Sequence, residues 1–400
     1  MRNEVIFDDR GRPDILVVFT PDELKLPDTL KGRKVKEYAI SKYPNTMIDG
    51  RPYSLPFMPP AVNVNHDEAI RLCEAKGPGW HLITNDEWAA LARQSWENDT
   101  VPTGNTNSGK SHSHPEQKGT TYQNSYGKTL AGSGPIGWNH DRTAEGVADM
   151  VGNVWEHVGG VRFLNGQVQI IPNNEAAAGA DQSPDSKEWT AIYTPDGDPV
   201  YYNVKDGEIV LQPTAPKEKD YDGVPFCDLH ERTDMEVPDK LIELGLYPAP
   251  DYESEEYFWL DTDGERCVCR GGHWSDGPSA GVAMAVVMAS ALTGRPVDGH
   301  VAVTGEVSVR GLVKPVGGVP GKVEAAERAG LTTVLIPADN RLERFEHTTI
   351  EVVPINTLEE AIDRMLLPVS AIAREDAPAA PGITPVPVLA AEEKTAASKG

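Results

Sequence analysis

The 400 residues carry 61 acidic against 37 basic side chains, and the net charge of −24 argues against nucleic acid or an anionic membrane as a partner. With 39% hydrophobic residues, 37 Gly and 33 Pro, the chain is long enough for two or three domains and a sizeable core. Four cysteines (Cys73, Cys227, Cys267, Cys269), no signal-like apolar stretch after Met1 and no run of 18 apolar residues suit the cytoplasm, or a host cytoplasm, and exclude a membrane-spanning helix.

Residues 1–52 hold the apolar run Ile15-Leu16-Val17-Val18-Phe19, then repeated Pro and charge, and predict a small β-containing arm. Helices are predicted over Asn65–Ala75, with Asn65 as a cap, and over Asn85–Ser95, whose Asp86 and Glu87 suit a helix N-terminus. Val101–Asn139 is mostly Gly, Ser, Thr, Asn and His and reads as long ordered loops, exposed and carrying any ligand contact. His112 and His114 could meet a metal at i, i+2, though a polar loop is the plainer reading. Residues 152–158 and 166–171 read as strands joined through Leu164-Asn165-Gly166. Asn153 and Glu156 offer oxygen ligands for Ca²⁺, against which stands the simpler role of holding their turn. Lys217–Glu265 holds 16 acidic and 4 basic residues and reads as a solvated, mobile insertion. Cys267-Val268-Cys269 is too tight for a zinc pair, so these cysteines read as structural, and no metal or cofactor is expected.

The stretch Asp276-Gly277-Pro278-Ser279-Ala280-Gly281 comes next, and Val282–Leu292 after it is small or apolar except for Ser290, which predicts a helix buried on all sides and closed at Gly294. Ser279 then sits at a first turn, where free N–H groups and the dipole can stabilise an oxyanion; taken alone it is equally an ordinary cap. Lys322 lies 43 residues further on, at the start of a helix predicted over Val323–Ala329. In a dry site a lysine loses pKa and can take the proton of a serine hydroxyl, whereas an unburied one is simply solvated. A last helix is predicted over Leu358–Leu367, and residues 368–400, rich in Ala, Pro, Glu and Lys, read as a disordered tail.

The motif around Ser279 resembles the nucleophile motif of the Lon protease proteolytic domain. The resemblance runs on through Leu292–Val297, Ala302–Val307, Arg310-Gly311, Pro315–Gly318, Lys322 and Leu331–Pro337, covering residues 276–367. It implies Ser279 as nucleophile and Lys322 as general base, with Asp276, Gly277 and Thr304 supporting. Upstream, Gly79–Trp88, Gly146–Glu156 and Arg270–Trp274 resemble the C-type-lectin-like fold of the formylglycine-generating-enzyme superfamily, especially its phage structural members, over roughly residues 53–275. Trp80, Trp88, Trp155 and Trp274 are expected to be buried there. Formylglycine generation itself needs a late reactive Cys pair, and no Cys follows the Arg-Gly-Gly motif.

The expected architecture is therefore α+β: an arm (1–52), a C-type-lectin-like module (53–275) with an acidic insertion (217–265), a truncated α/β Lon-type segment (276–367) and a tail (368–400). The chain reads as a chimera joined at Asp276. Its first expected function is a Lon-type serine endopeptidase acting on unfolded polypeptide, without an ATPase of its own because no Walker A motif is present, and served by a separate ATPase. The resemblance also implies a hexameric homo-oligomer. The alternative is a phage tail or receptor-binding protein of the virion with a cell-surface ligand. Weak turnover is expected, because missing upstream strands would let water reach Lys322 and restore its ordinary pKa.

Overall fold

The computed structural model describes residues 1–125, 127–205, 208–217, 219–231, 233, 235–252, 257–274, 281–293, 295–307, 311–314, 316, 319–341, 345 and 348–368. Its elements mix helix and sheet and divide into two units. One comprises Met1–Ala280 with Pro315–Lys322, the other Gly281–Lys314 with Val323–Gly400.

In the first unit, β1 (Arg2–Phe7) and β2 (Pro13–Phe19) form an antiparallel ribbon, and β3 (Tyr38–Ser41) pairs with the other edge of β2. The apolar run of β2 points Val17 and Phe19 into a core shared with Leu24, Ile40, Ala90, Leu91, Val147 and Met150. Residues 1–52, read from sequence as an arm, are thus built into the body of the unit. Helix α1 (His66–Glu74) is capped by Asn65, whose side chain accepts the Glu68 N–H at 2.9 Å. Helix α2 (Asn85–Glu97) starts at Asn85 as predicted; Thr84 and Glu87 form a reciprocal capping box, and Asn85 is fully buried.

The main sheet of this unit is antiparallel and contains β4 (Glu156–Leu164), β5 (Gln167–Ile170), β6 (Tyr201–Lys205), β7 (Glu208–Gln212) and β8 (Glu265–Arg270), in the order β7-β6-β5-β4-β8. The β4–β5 hairpin turns at Asn165-Gly166, both with positive φ (49° and 80°), the geometry an Asn-Gly pair adopts in a two-residue turn. The acidic stretch 217–265 is not a solvated insertion. Its Val224, Leu229, Leu241, Leu244, Leu246, Tyr247 and Leu260 fill the same core as Val158, Phe163, Val168 and Tyr202. Burial of a single leucine side chain is worth about 1.5–3 kcal/mol, so these spaced apolar residues outweigh the surrounding charge. The expectation for the tryptophans fails at Trp155, which is 47% exposed; the fully enclosed one is Trp138.

The second unit opens with α3 (Gly281–Thr293), as its composition predicts. Three parallel strands follow, β9 (Val301–Val303), β12 (Thr333–Pro337) and β13 (Glu351–Ile355), in the order β9-β12-β13. Along the chain a short hairpin, β10 (Glu306–Val307) and β11 (Val313–Lys314), comes between β9 and β12, and α4 (Val319–Arg328), whose residues up to Lys322 fall in the first unit, precedes β12. Helix α5 (Leu358–Met365) begins at Thr357, whose side chain accepts the Glu360 N–H. Val282, Val286 and Ala289 of α3 pack with Ala361, Ile362 and Met365 of α5. Helix α3 is not buried on all sides, however, since Val287 is 59% exposed. Among the described residues no helix is long and apolar enough to cross a membrane.

Candidate active site

Ser279, Asp276 and Gly277 lie outside the described residues, as does the Gly294 stop; Lys322 and Thr304 lie within them. Helix α4 starts at Val319, four residues before the predicted start, with Pro320 in its first turn, where a missing N–H costs nothing. Lys322 is its fourth residue and belongs to the first unit. The residue is half-buried, and burial pulls its ammonium pKa down to about 8. This reverses the expectation that water would restore the ordinary value: the surrounding desolvation is sufficient to disfavour the charged form.

Thr304 is buried at the end of β9, its N–H donating to the Leu335 carbonyl at 3.0 Å. The next carbonyl, that of Gly305, accepts the N–H of Val282 at 3.0 Å. Thr304-Gly305 thus anchors the first turn of α3, the turn that directly follows the Ser279 motif in the chain. A Cβ at Gly305 would lie 2.7 Å from Val313 Cγ1 and 2.8 Å from Val282 Cγ2, so only glycine lets strand and helix approach this closely. The sequence reading matched Gly305 to a motif without seeing this steric demand; a glycine directly after an apolar strand is the signal that carries it.

In the first unit, the turn residues weighed as Ca²⁺ ligands hold the structure instead. Asn153 Oδ1 accepts the Thr129 N–H at 2.8 Å and the Asn105 amide at 3.1 Å. Glu156 accepts Trp88 Nε1–H at 2.9 Å, and burial pushes its carboxyl up to about 7. Burial likewise raises Asp149 to about 6 against one N–H bond from Gly132. His112 Nδ1 pairs with Thr106 Oγ1 at 2.7 Å and His114 Nδ1 with Ser113 Oγ at 3.1 Å. The 101–139 loops are ordered but only partly exposed, with Asn105, Ser111, Thr129 and Trp138 all buried.

Residues 249–367 match the family model of the Lon protease (S16) C-terminal proteolytic domain, and residues 32–162 match that of the sulfatase-modifying factor enzyme 1-like domain. The chain is similar to Lon protease of Methylocella silvestris, 48% identical over 144 residues, which are 36% of this chain and 17% of that protein. It is also similar to Lon protease 1 of Sorangium cellulosum, 48% identical over 96 residues (23% and 12%), and to Lon protease 2 of Bacillus subtilis, 44% identical over 98 residues (24% and 18%). The chain therefore spans less than a fifth of the length of these relatives. The first match begins at residue 249, upstream of Asp276, and takes in β8, which pairs with β4. The two resemblances on one chain are consistent with a chimera.

Proposed function

We propose that the C-terminal part of the chain is a Lon-type serine peptidase using Ser279 as nucleophile and Lys322 as general base on unfolded polypeptide, with Asp276, Gly277 and Thr304 in support. The observation that carries this reading is Lys322, half-buried and brought to about 8 within a stretch similar to the Lon proteolytic domain. An amine with that pKa is roughly one-tenth neutral at pH 7, against less than about a thousandth for a lysine in water. The neutral Nζ takes the Ser279 hydroxyl proton as Oγ attacks the peptide carbonyl. The protonated lysine returns that proton to the leaving amine, and water then releases the acyl group by the same base. The N-terminus of α3, which follows the Ser279 motif in the chain, brings the positive end of the helix dipole to the developing oxyanion. Delivery of substrate by a separate ATPase, and assembly as a hexamer, belong to the same proposal.

A fluorophosphonate probe tests it directly. Labelling of the full chain that disappears in Ser279→Ala is the expected result. Equal labelling of both proteins, or none of either, would remove Ser279 from the mechanism.

A further inference from the structure

The first unit encloses a lysine and a carboxylate. Asp14 lies on β2 with a side chain 0% exposed; Lys76 follows α1 with a side chain 2% exposed. Lys76 Nζ is 2.6 Å from Asp14 Oδ2. The same nitrogen sits 3.6 Å from the centre of the Trp80 ring and 4.8 Å from that of Tyr53. Tyr53 is itself fully buried and donates its hydroxyl to Asp8 Oδ2 at 2.6 Å. Asp14 Oδ1 accepts the backbone N–H of Ser54 at 2.9 Å.

Two ions in such an aromatic cage have lost their hydration, and burial pulls the Lys76 pKa down although Asp14 opposes it. One proton moved across 2.6 Å turns the pair into an amine and an acid. The amine is then a nucleophile held against a carboxyl carbon, with solvent excluded and the encounter entropy already met by the fold.

From this geometry we infer that Lys76 and Asp14 condense into an intramolecular isopeptide bond once the unit has folded. The ammonium proton passes to Asp14 Oδ2, and Nζ attacks Cγ, forming the C–N bond. Oδ1 bears the charge of the tetrahedral adduct and is stabilised by the Ser54 N–H. The Cγ–Oδ2 bond breaks, and the departing hydroxyl leaves as water with a proton from the nitrogen. An ammonium and a carboxylate become a neutral amide and one water, with no oxidant or co-reactant. The product tethers β2 to the end of α1 across 62 residues of chain.

The test is the mass of the purified full chain. It is expected one water lighter than its sequence, while Asp14→Ala and Lys76→Arg, which keeps the cation but cannot condense here, are expected at full mass. Trypsin should leave the Lys76–Gly77 bond uncut and release a branched peptide joining residues 11–25 to residues 72–93. Full sequence mass after prolonged incubation of the folded protein, with the two peptides separate, would overturn the inference. So would a lost water that maps elsewhere in the chain.

Discussion

Lys76 and Lys322 are both lysines that burial has shifted, and their surroundings put them to different use. Around Lys76 the fold supplies a carboxylate at 2.6 Å and two aromatic faces, which meet the charge until the pair condenses. For Lys322 burial is the cause of the shift, and it brings the group to about 8, within reach of neutral pH. The first arrangement fixes structure; the second leaves a base that can gain and lose a proton under working conditions. A buried cation is therefore not by itself a sign of catalysis.

The largest expected effect breaks the catalytic side of this contrast. Ser279→Ala and Lys322→Ala should each lower casein hydrolysis by at least about a thousandfold, with the double variant no worse than either, because the two groups act as one unit. In the unchanged protein, kcat/KM should climb with pH and level off near 8, since Lys322 acts only after losing its proton. A profile flat from pH 6 to 9, measured on the same substrate, would deny Lys322 that role.

The structural side breaks at Lys76. Lys76→Met removes the tether and leaves Asp14 buried with its main partner gone, which should cost at least about 3–5 kcal/mol of stability in urea unfolding, with no change in any peptidase rate per folded molecule. A loss below about 1 kcal/mol would show that the pair is better solvated than its burial indicates.

Glu156 sharpens the comparison from the acidic side. Its folded pKa, raised by burial to about 7, means that its stabilising contribution is complete below the unfolded value of 4.5 and is lost as pH rises through 7. Glu156→Gln keeps the shape and an acceptor for Trp88 Nε1–H without the charge. The variant should therefore gain stability relative to the parent on the order of 3 kcal/mol at pH 8 and nothing at pH 4. A pH-independent difference between the two proteins would mean that the carboxyl is solvated.

Much of this was legible in sequence where the signal is local. The all-apolar run after Ser279 gave α3, Asn165-Gly166 gave the β4–β5 turn, and Asn65 gave the start of α1. What sequence concealed depends on distant partners. Thr84 and Glu87 close a capping box, and Asn85, the first residue of the helix, is committed to a distant partner, accepting from Arg270 at 2.6 Å. The acidic composition of 217–265 hid leucines whose spacing matters only once the sheet exists. Trp138 is enclosed and Trp155 exposed because loop packing, rather than the motif around each ring, decides burial. Lys76 and Asp14 are 62 residues apart, and nothing near either marks the other.

The smallest expected effect tests the anchor of α3. In Gly305→Ala the new methyl would lie 2.7 Å from Val313 Cγ1 and 2.8 Å from Val282 Cγ2, both contacts that real side chains avoid. Val282 must then withdraw, lengthening the 3.0 Å bond from its N–H to the Gly305 carbonyl. Overpacking of this kind costs about 1–3 kcal/mol, a loss that thermal unfolding of the full chain would read. The same displacement shifts the first turn of α3, so Ser279-dependent probe labelling should slow by more than the stability loss explains. Thr304→Val is the matched control. It replaces the hydroxyl by a methyl and leaves the Gly305 carbonyl where it is. Slowed labelling in Gly305→Ala alone would trace the effect to the position of the helix, whereas equal slowing in both would assign it to the Thr304 hydroxyl.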